Sequence, residues 1–165
     1  MDKTFKAGVL TISDRGSRGE RRDESGETAA GMLEEAGYTL ANRMIVPDDL
    51  RQIADTIIKW ADNDGLSLIV TSGGTGLSPT DVTPQAMEEV IDYKVPGIGE
   101  AMRAASLHKT PHAMISRAIA GVRGSCLIIN LPGSPKGVKE NLSVVLPALN
   151  HGLSKLAGDS TDCAR

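Results

Sequence analysis

Aromatic side chains are scarce: Phe5, Tyr38, Trp60 and Tyr93 are the only four in 165 residues. Without them the chain lacks a platform on which unpaired bases stack, and its core has to be built from Val, Ile, Leu, Met and Ala. A dominant charge of one sign is missing as well. Eighteen basic against twenty-one acidic side chains leave a formal charge of -3, and no five like charges are consecutive, so nucleic acid is not an expected partner. The densest basic stretch, from Arg15 to Arg22, is broken by Gly16, Gly19 and Glu20 and reads as a loop. Cysteine is nearly absent. Cys126 and Cys163 lie too far apart for a local metal motif, and no apolar leader points to an oxidising compartment, so free thiols in a cytoplasmic protein are expected. No run reaches the ~18 apolar residues of a membrane helix. Met1-Asp2-Lys3 leads straight into a strand-like segment, so neither cleavage nor membrane anchoring is expected.

Common catalytic and nucleotide motifs are missing too. There is no G-x-x-x-x-G-K-[ST], and Gly97-Ile98-Gly99 reaches Met102 where a dinucleotide fingerprint needs Gly or Ala. No serine sits in G-x-S-x-G. His108 and His112 have the spacing of a metal pair, but Pro111 breaks the helix that would align them, and they read as surface residues.

What is present has the composition of an ordinary soluble domain, 40% apolar and 24% charged, at a length that fits one domain over residues 1–165. Apolar runs at 7–13, 40–46, 66–71, 118–122 and 126–131 read as strands. Between them lie helical stripes. Ala29, Met32, Leu33 and Ala36 form one, with Gly37 as its C-terminal cap; Leu50, Ile53, Ala54, Ile57, Ile58 and Ala61 form the next, with Asp49 as N-cap. Thr83-Pro84 and Ser134-Pro135 each read as an N-cap followed by Pro in the first turn. Residues 97–107 form another helical piece, and the last helix, from Val138 to Leu156, is expected to bend at Pro147. Arg123-Gly124-Ser125 joins the last two strands as a hairpin. This alternation predicts an α/β fold of three layers, with a mainly parallel sheet and a small antiparallel hairpin element.

Ligands in such folds bind beyond the carboxyl ends of the strands, and three polar segments follow strand ends here. The first is Ser13-Asp14. The second, Ser72-Gly73-Gly74-Thr75-Gly76, has either of two uses: a tight turn requiring positive φ, or a cradle of main-chain amides for an anion. Hydroxyls at Ser78 and Thr80 and the carboxylate of Asp81 follow it. Asp81 reads either as favourable charge at the next helix or as part of a site. Asp48 is spare if Asp49 is the cap, and two carboxylates at strand ends suit Mg2+, which usually takes one or two carboxylates plus substrate phosphates. The third segment, Asn130-Leu131-Pro132-Gly133-Ser134-Pro135, opens a helix N-terminus, where a phosphate or carbonyl binds or a plain helix start suffices.

Val70-Thr71-Ser72-Gly73-Gly74-Thr75-Gly76, continued by Asp81-Val82-Thr83-Pro84, resembles the signature of the MogA/MoaB-type molybdenum cofactor proteins, the fold also found in gephyrin's G domain. Thr11-Ile12-Ser13-Asp14-Arg15, Val46-Pro47-Asp48, the run from Pro96 to Arg103, and Leu131-Pro132-Gly133-Ser134-Pro135 also look like family motifs, in family order, so the resemblance covers about residues 6 to 156. It implies transfer of AMP from Mg-ATP to the terminal phosphate of molybdopterin, with release of pyrophosphate. It further implies that Asp48 and Asp81, read above as a pair suited to Mg2+, are the functional aspartates. Ser72, Gly73, Gly74, Thr75, Gly76 and Ser78 would hold phosphate or pterin groups, and Ser13, Asp14, Glu100, Pro132, Gly133 and Ser134 would line the same cleft. A homotrimer and hand-over of the product to a molybdenum-insertion protein belong to the same implication. The resemblance departs at Thr80, where members usually carry an arginine, a fixed cation beside the phosphates. Two other readings compete: a non-catalytic pterin-binding protein, and a nucleotide pyrophosphatase of the same fold.

Overall fold

The computed structural model describes residues 4–161; the expectation for Met1 to Lys3 and the thiol of Cys163 lie outside them. Strands β1 (Lys6–Ile12), β2 (Thr39–Val46), β3 (Leu68–Ser72), β4 (Tyr93–Lys94), β5 (Ala120–Arg123) and β6 (Cys126–Leu131) form one sheet in the order β2-β1-β3-β6-β5-β4. The first four in that order, β2, β1, β3 and β6, are mutually parallel. Next to β6, β5 and then β4 each run antiparallel to the preceding strand. The expected hairpin is there, tightened to two residues: Arg123 pairs with Cys126, and Gly124 turns with φ of 55°.

Every residue of β3 and β6 is buried, which is why both strands read as unbroken apolar runs. Successive side chains serve opposite faces. Val9, Val70 and Ile129 join the core under α2 (Glu24–Glu35), α5 (Pro96–Leu107) and α6 (Pro135–Leu156). Leu10, Ile69 and Ile128 join the core under α3 (Leu50–Ile58) and α4 (Thr83–Val90). Three layers result, and each fully buried Ile or Leu contributes about 1.5–3 kcal/mol.

Local chemistry sets the helix ends. Asp49 accepts from the Gln52 N–H at 2.8 Å, and Ser134 from the Gly137 N–H at 3.0 Å, each satisfying an otherwise orphaned donor. Helix α2 starts at Glu24, ahead of its apolar stripe, because Asp23 caps it through Gly26 N–H at 2.9 Å. Helix α6 stays one helix through Pro147. Past Ile58 the chain widens into a π-helical turn, Lys59–Asn63, which seats Trp60 on β1. A Cβ on Gly8 would lie 2.8 Å from its ring. Three short elements carry no periodic signal and escaped prediction: the single turn α1 (Asp14–Ser17), β4, and a 3-10 turn at Pro111–Ile115.

Candidate functional site

The chain leaves β1 for β2 on one side and returns to β3 on the other, so a crevice opens beyond the carboxyl ends of β1 and β3. Gly73 and Gly74 enter it with φ of 107° and 68°. A Cβ on Gly73 would stand 2.3 Å from Ile12 O, and one on Gly74 2.2 Å from Thr83 Oγ1. Thr83 holds this turn and does not act as the N-cap predicted for it. Its hydroxyl donates to Gly73 O at 2.9 Å and its N–H to Gly74 O at 3.2 Å, while Val82 occupies the cap position of α4. Gly73 N–H is spent on Leu131 O at 3.1 Å. The N–H groups of Gly74, Thr75 and Gly76 find no protein acceptor among the described residues. Gly73 and Gly74 thus meet the turn reading with their positive φ, while the unpaired amides of Gly74, Thr75 and Gly76 leave the anion reading open.

A residue without any sequence signal fixes the far half of the loop. Arg117 donates from Nε to Gly76 O at 2.8 Å, from Nη2 to Asp81 O at 2.7 Å and from Nη1 to Gln85 Oε1 at 3.1 Å. Its own N–H reaches Thr75 O at 2.9 Å. One planar guanidinium thus ties both ends of the segment between Gly76 and Asp81.

The two aspartates flank the loop. A Cβ on Gly74 would lie 3.3 Å from Asp48 Oδ1, and one on Gly76 2.8 Å from Asp81 Oδ2. Asp48 and Asp14 exchange bonds: Asp14 N–H donates to Asp48 Oδ2 at 3.2 Å and Asp48 N–H to Asp14 Oδ1 at 2.9 Å. Asp81 Oδ2 accepts from Ser78 N–H at 3.0 Å. Burial lifts the Asp48 carboxyl above the usual carboxylate range; the Asp14 N–H opposes that rise, and the charges of Asp14 and Asp81 add to it.

A first cleft of about 350 Å³ gathers Ser13, Asp48, Ser72, Gly73, Gly74, Asp81, Gly133 and Ser134. A second, of about 410 Å³, takes Thr75, Gly76, Pro132 and again Ser134, together with Arg103, Lys109 and Lys136. Ser134 thus stands where the two clefts adjoin. Asp14 backs the first cleft through Asp48, and Ser78 through Asp81. Glu100 is exposed on α5 and lines neither cleft. Several hydroxyls already have structural duties: Ser13 caps α1 and Ser72 donates to Pro132 O at 2.9 Å. Arg21, Arg22 and Asp23 also line the first cleft; their stretch reads in sequence only as a solvated loop.

Among the described residues no three His, Cys, Asp or Glu gather as a metal cage. Two crowded carboxylates on one cleft suit Mg2+ completed by substrate oxygens. No helix among the described residues is long and apolar enough to cross a membrane. Cys126 is buried, and burial pushes its thiol up to about 12, which makes it unreactive.

Residues 8–151 match the family described as "Probable molybdopterin binding domain". The molybdopterin adenylyltransferase of Helicobacter pylori is 41% identical over 95% of this chain and 90% of its own length. The gephyrin of Dictyostelium discoideum is 43% identical over 92% of this chain, which spans only 22% of that protein. The crystal structure of the molybdopterin biosynthesis enzyme MoaB from Thermus thermophilus superposes with a TM-score of 0.89 at 49% identity, covering 94% of this chain and 98% of that one. With family match, identity and fold in agreement over nearly the whole chain, it belongs to the MogA/MoaB-type molybdenum cofactor biosynthesis family.

Proposed function

We propose that this chain is a molybdopterin adenylyltransferase, moving AMP from ATP to the terminal phosphate of molybdopterin. The observation that carries the reading is one loop with three free amides, flanked by two carboxylates on a single cleft. An oxygen of the pterin phosphate attacks the α-phosphorus of ATP. The bond from that phosphorus to the bridging oxygen breaks, and pyrophosphate leaves with the electron pair. A phosphate monoester has its second pKa near about 6, so the nucleophile is already ionised at neutral pH and the site needs no general base. Positioning and charge neutralisation are what remain for the protein to supply.

Asp48 and Asp81 would hold Mg2+, which when bound neutralises charge on the phosphates. The amides of Gly74, Thr75 and Gly76 hold phosphate oxygens and do not reorganise during reaction, because Thr83 and Arg117 fix the loop. In this reading the enzyme is a cytoplasmic homotrimer that passes its product to a molybdenum-insertion protein.

Incubating the protein with ATP, magnesium and molybdopterin tests the reading, with pyrophosphate and adenylylated pterin measured together. Both should appear, in equal amounts and only when pterin is added. Pterin binding without pyrophosphate release would select a non-catalytic binding protein. Nucleotide cleavage without pterin would select a pyrophosphatase.

A further inference from the structure

Four arginines stand on the segment between β1 and α2, and they have different fates. Arg18 is held by Glu20 through bonds of 2.8 and 3.1 Å. Arg22 is held by Glu27, with Nη2 to Oε2 at 2.8 Å. Arg15 is exposed and lines neither cleft. Arg21 lines the first cleft, and among the described residues its guanidinium has no ion pair or hydrogen bond.

The segment bearing Arg21 is tethered close by. Asp23 accepts from Thr11 Oγ1 at 2.9 Å, from Gly26 N–H at 2.9 Å and from Arg43 at 3.1 Å. The cleft also needs a cation from somewhere. Its acids include Asp48 and Asp81, its other arginine is neutralised by Glu27, and Arg117 is committed to the loop. Beside Asp81 in the chain, Thr80 offers only a neutral hydroxyl, paired with Ser78 Oγ at 3.1 Å.

We propose that Arg21 grips the β- and γ-phosphates of the nucleoside triphosphate, the part that leaves as pyrophosphate. The assignment rests on the AMP-transfer reading of the same cleft. A guanidinium offers a planar fork of donors matched to phosphate oxygens, and one with no internal acid partner breaks no ion pair when the polyphosphate enters. A residue that grips only the departing phosphates separates ATP from AMP.

Titration calorimetry of the full chain with MgATP and with AMP tests this, using Arg21→Gln, Arg21→Lys and Arg18→Gln. Arg21 is exposed, so its replacement leaves the fold intact. Arg21→Gln should weaken MgATP about tenfold and AMP less than about twofold, the scale of one charge-assisted contact. Pyrophosphate should weaken in parallel with MgATP, Arg21→Lys should fall between, and Arg18→Gln should match the parent. Unchanged MgATP affinity in Arg21→Gln, or equal losses for MgATP and AMP, overturns the assignment alone. Failure of the parental chain to bind MgATP overturns it together with the AMP-transfer reading.

Discussion

Arg117 meets Asp81 at the backbone and not at the carboxylate: Nη2 donates to the Asp81 carbonyl at 2.7 Å, while Oδ2 of the same aspartate accepts from Ser78 N–H at 3.0 Å. The arginine therefore aims the residue without neutralising it. Replacing it with Gln should lower the AMP-transfer rate by about 10- to 100-fold, or about 1.4–2.7 kcal/mol of barrier, through loss of loop geometry. Lys keeps the charge but not the fork, so Arg117→Lys should rescue only in part. Single-turnover rates at saturating ATP are the measurement; a Lys variant at the parental rate would show that charge alone is at work.

Asp81→Asn keeps an oxygen for the Ser78 N–H and removes only the charge. Turnover should drop about 10²- to 10³-fold, the usual loss when a transition-state contact is removed, while pterin affinity stays within a few-fold. Equal damage to binding and turnover would mean that the carboxylate shapes the site and does not serve the reaction.

Asp48 behaves differently because its pKa is raised. Its ionised form is costlier in the folded chain than in the unfolded one, so its favourable contribution to stability is full below the ordinary carboxylate value of about 4 and is lost as the pH rises through the raised folded value. Asp48→Asn should thus melt higher than the parent at about pH 7, with the gain shrinking towards about pH 4, even as transfer activity collapses. Melting curves across that range decide it. A mutant less stable than the parent at pH 7 would refute the burial argument.

Gly74→Ala joins a side chain at φ of 68° to a contact of 2.2 Å with Thr83 Oγ1. The expected loss is about 1–3 kcal/mol, and the Thr83 bond to Gly73 goes with it. Thr83→Val removes that bond without the backbone strain and should cost about 1 kcal/mol. Denaturant unfolding should rank them in that order. An equal or reversed ranking would show that the turn tolerates a Cβ.

The parts of the fold that follow from adjacent residues were legible: the runs that became β3 and β6, the caps Asp49 and Ser134, and the existence of the hairpin at Gly124, though not its two-residue length. The role of Thr83 was not, because its partner Gly73 lies ten residues back and local rules favoured a cap. The same holds for Asp14 with Asp48, 34 residues apart, and for Arg117 with Gly76, 41 apart. The cleft residues at the glycines and strand ends, Ser13, Asp48, Gly73, Gly74 and Asp81, were marked in sequence, whereas Arg21 and Arg22 of the same cleft were not. Those that hold the site in shape depend on tertiary proximity and carry no mark in a single sequence.

Trp60, the chain's one tryptophan, rests on Gly8 and beside Leu66, at the amino ends of β1 and β3, whereas the clefts open at the carboxyl ends. Its emission should therefore shift when the sheet and its helices come apart and stay constant when a ligand settles. The molecule carries a built-in optical gauge of intactness, separate from occupancy. Intrinsic fluorescence and calorimetry on one sample would report the two events independently, so a variant that has lost its ligand is distinguished from one that has lost its fold.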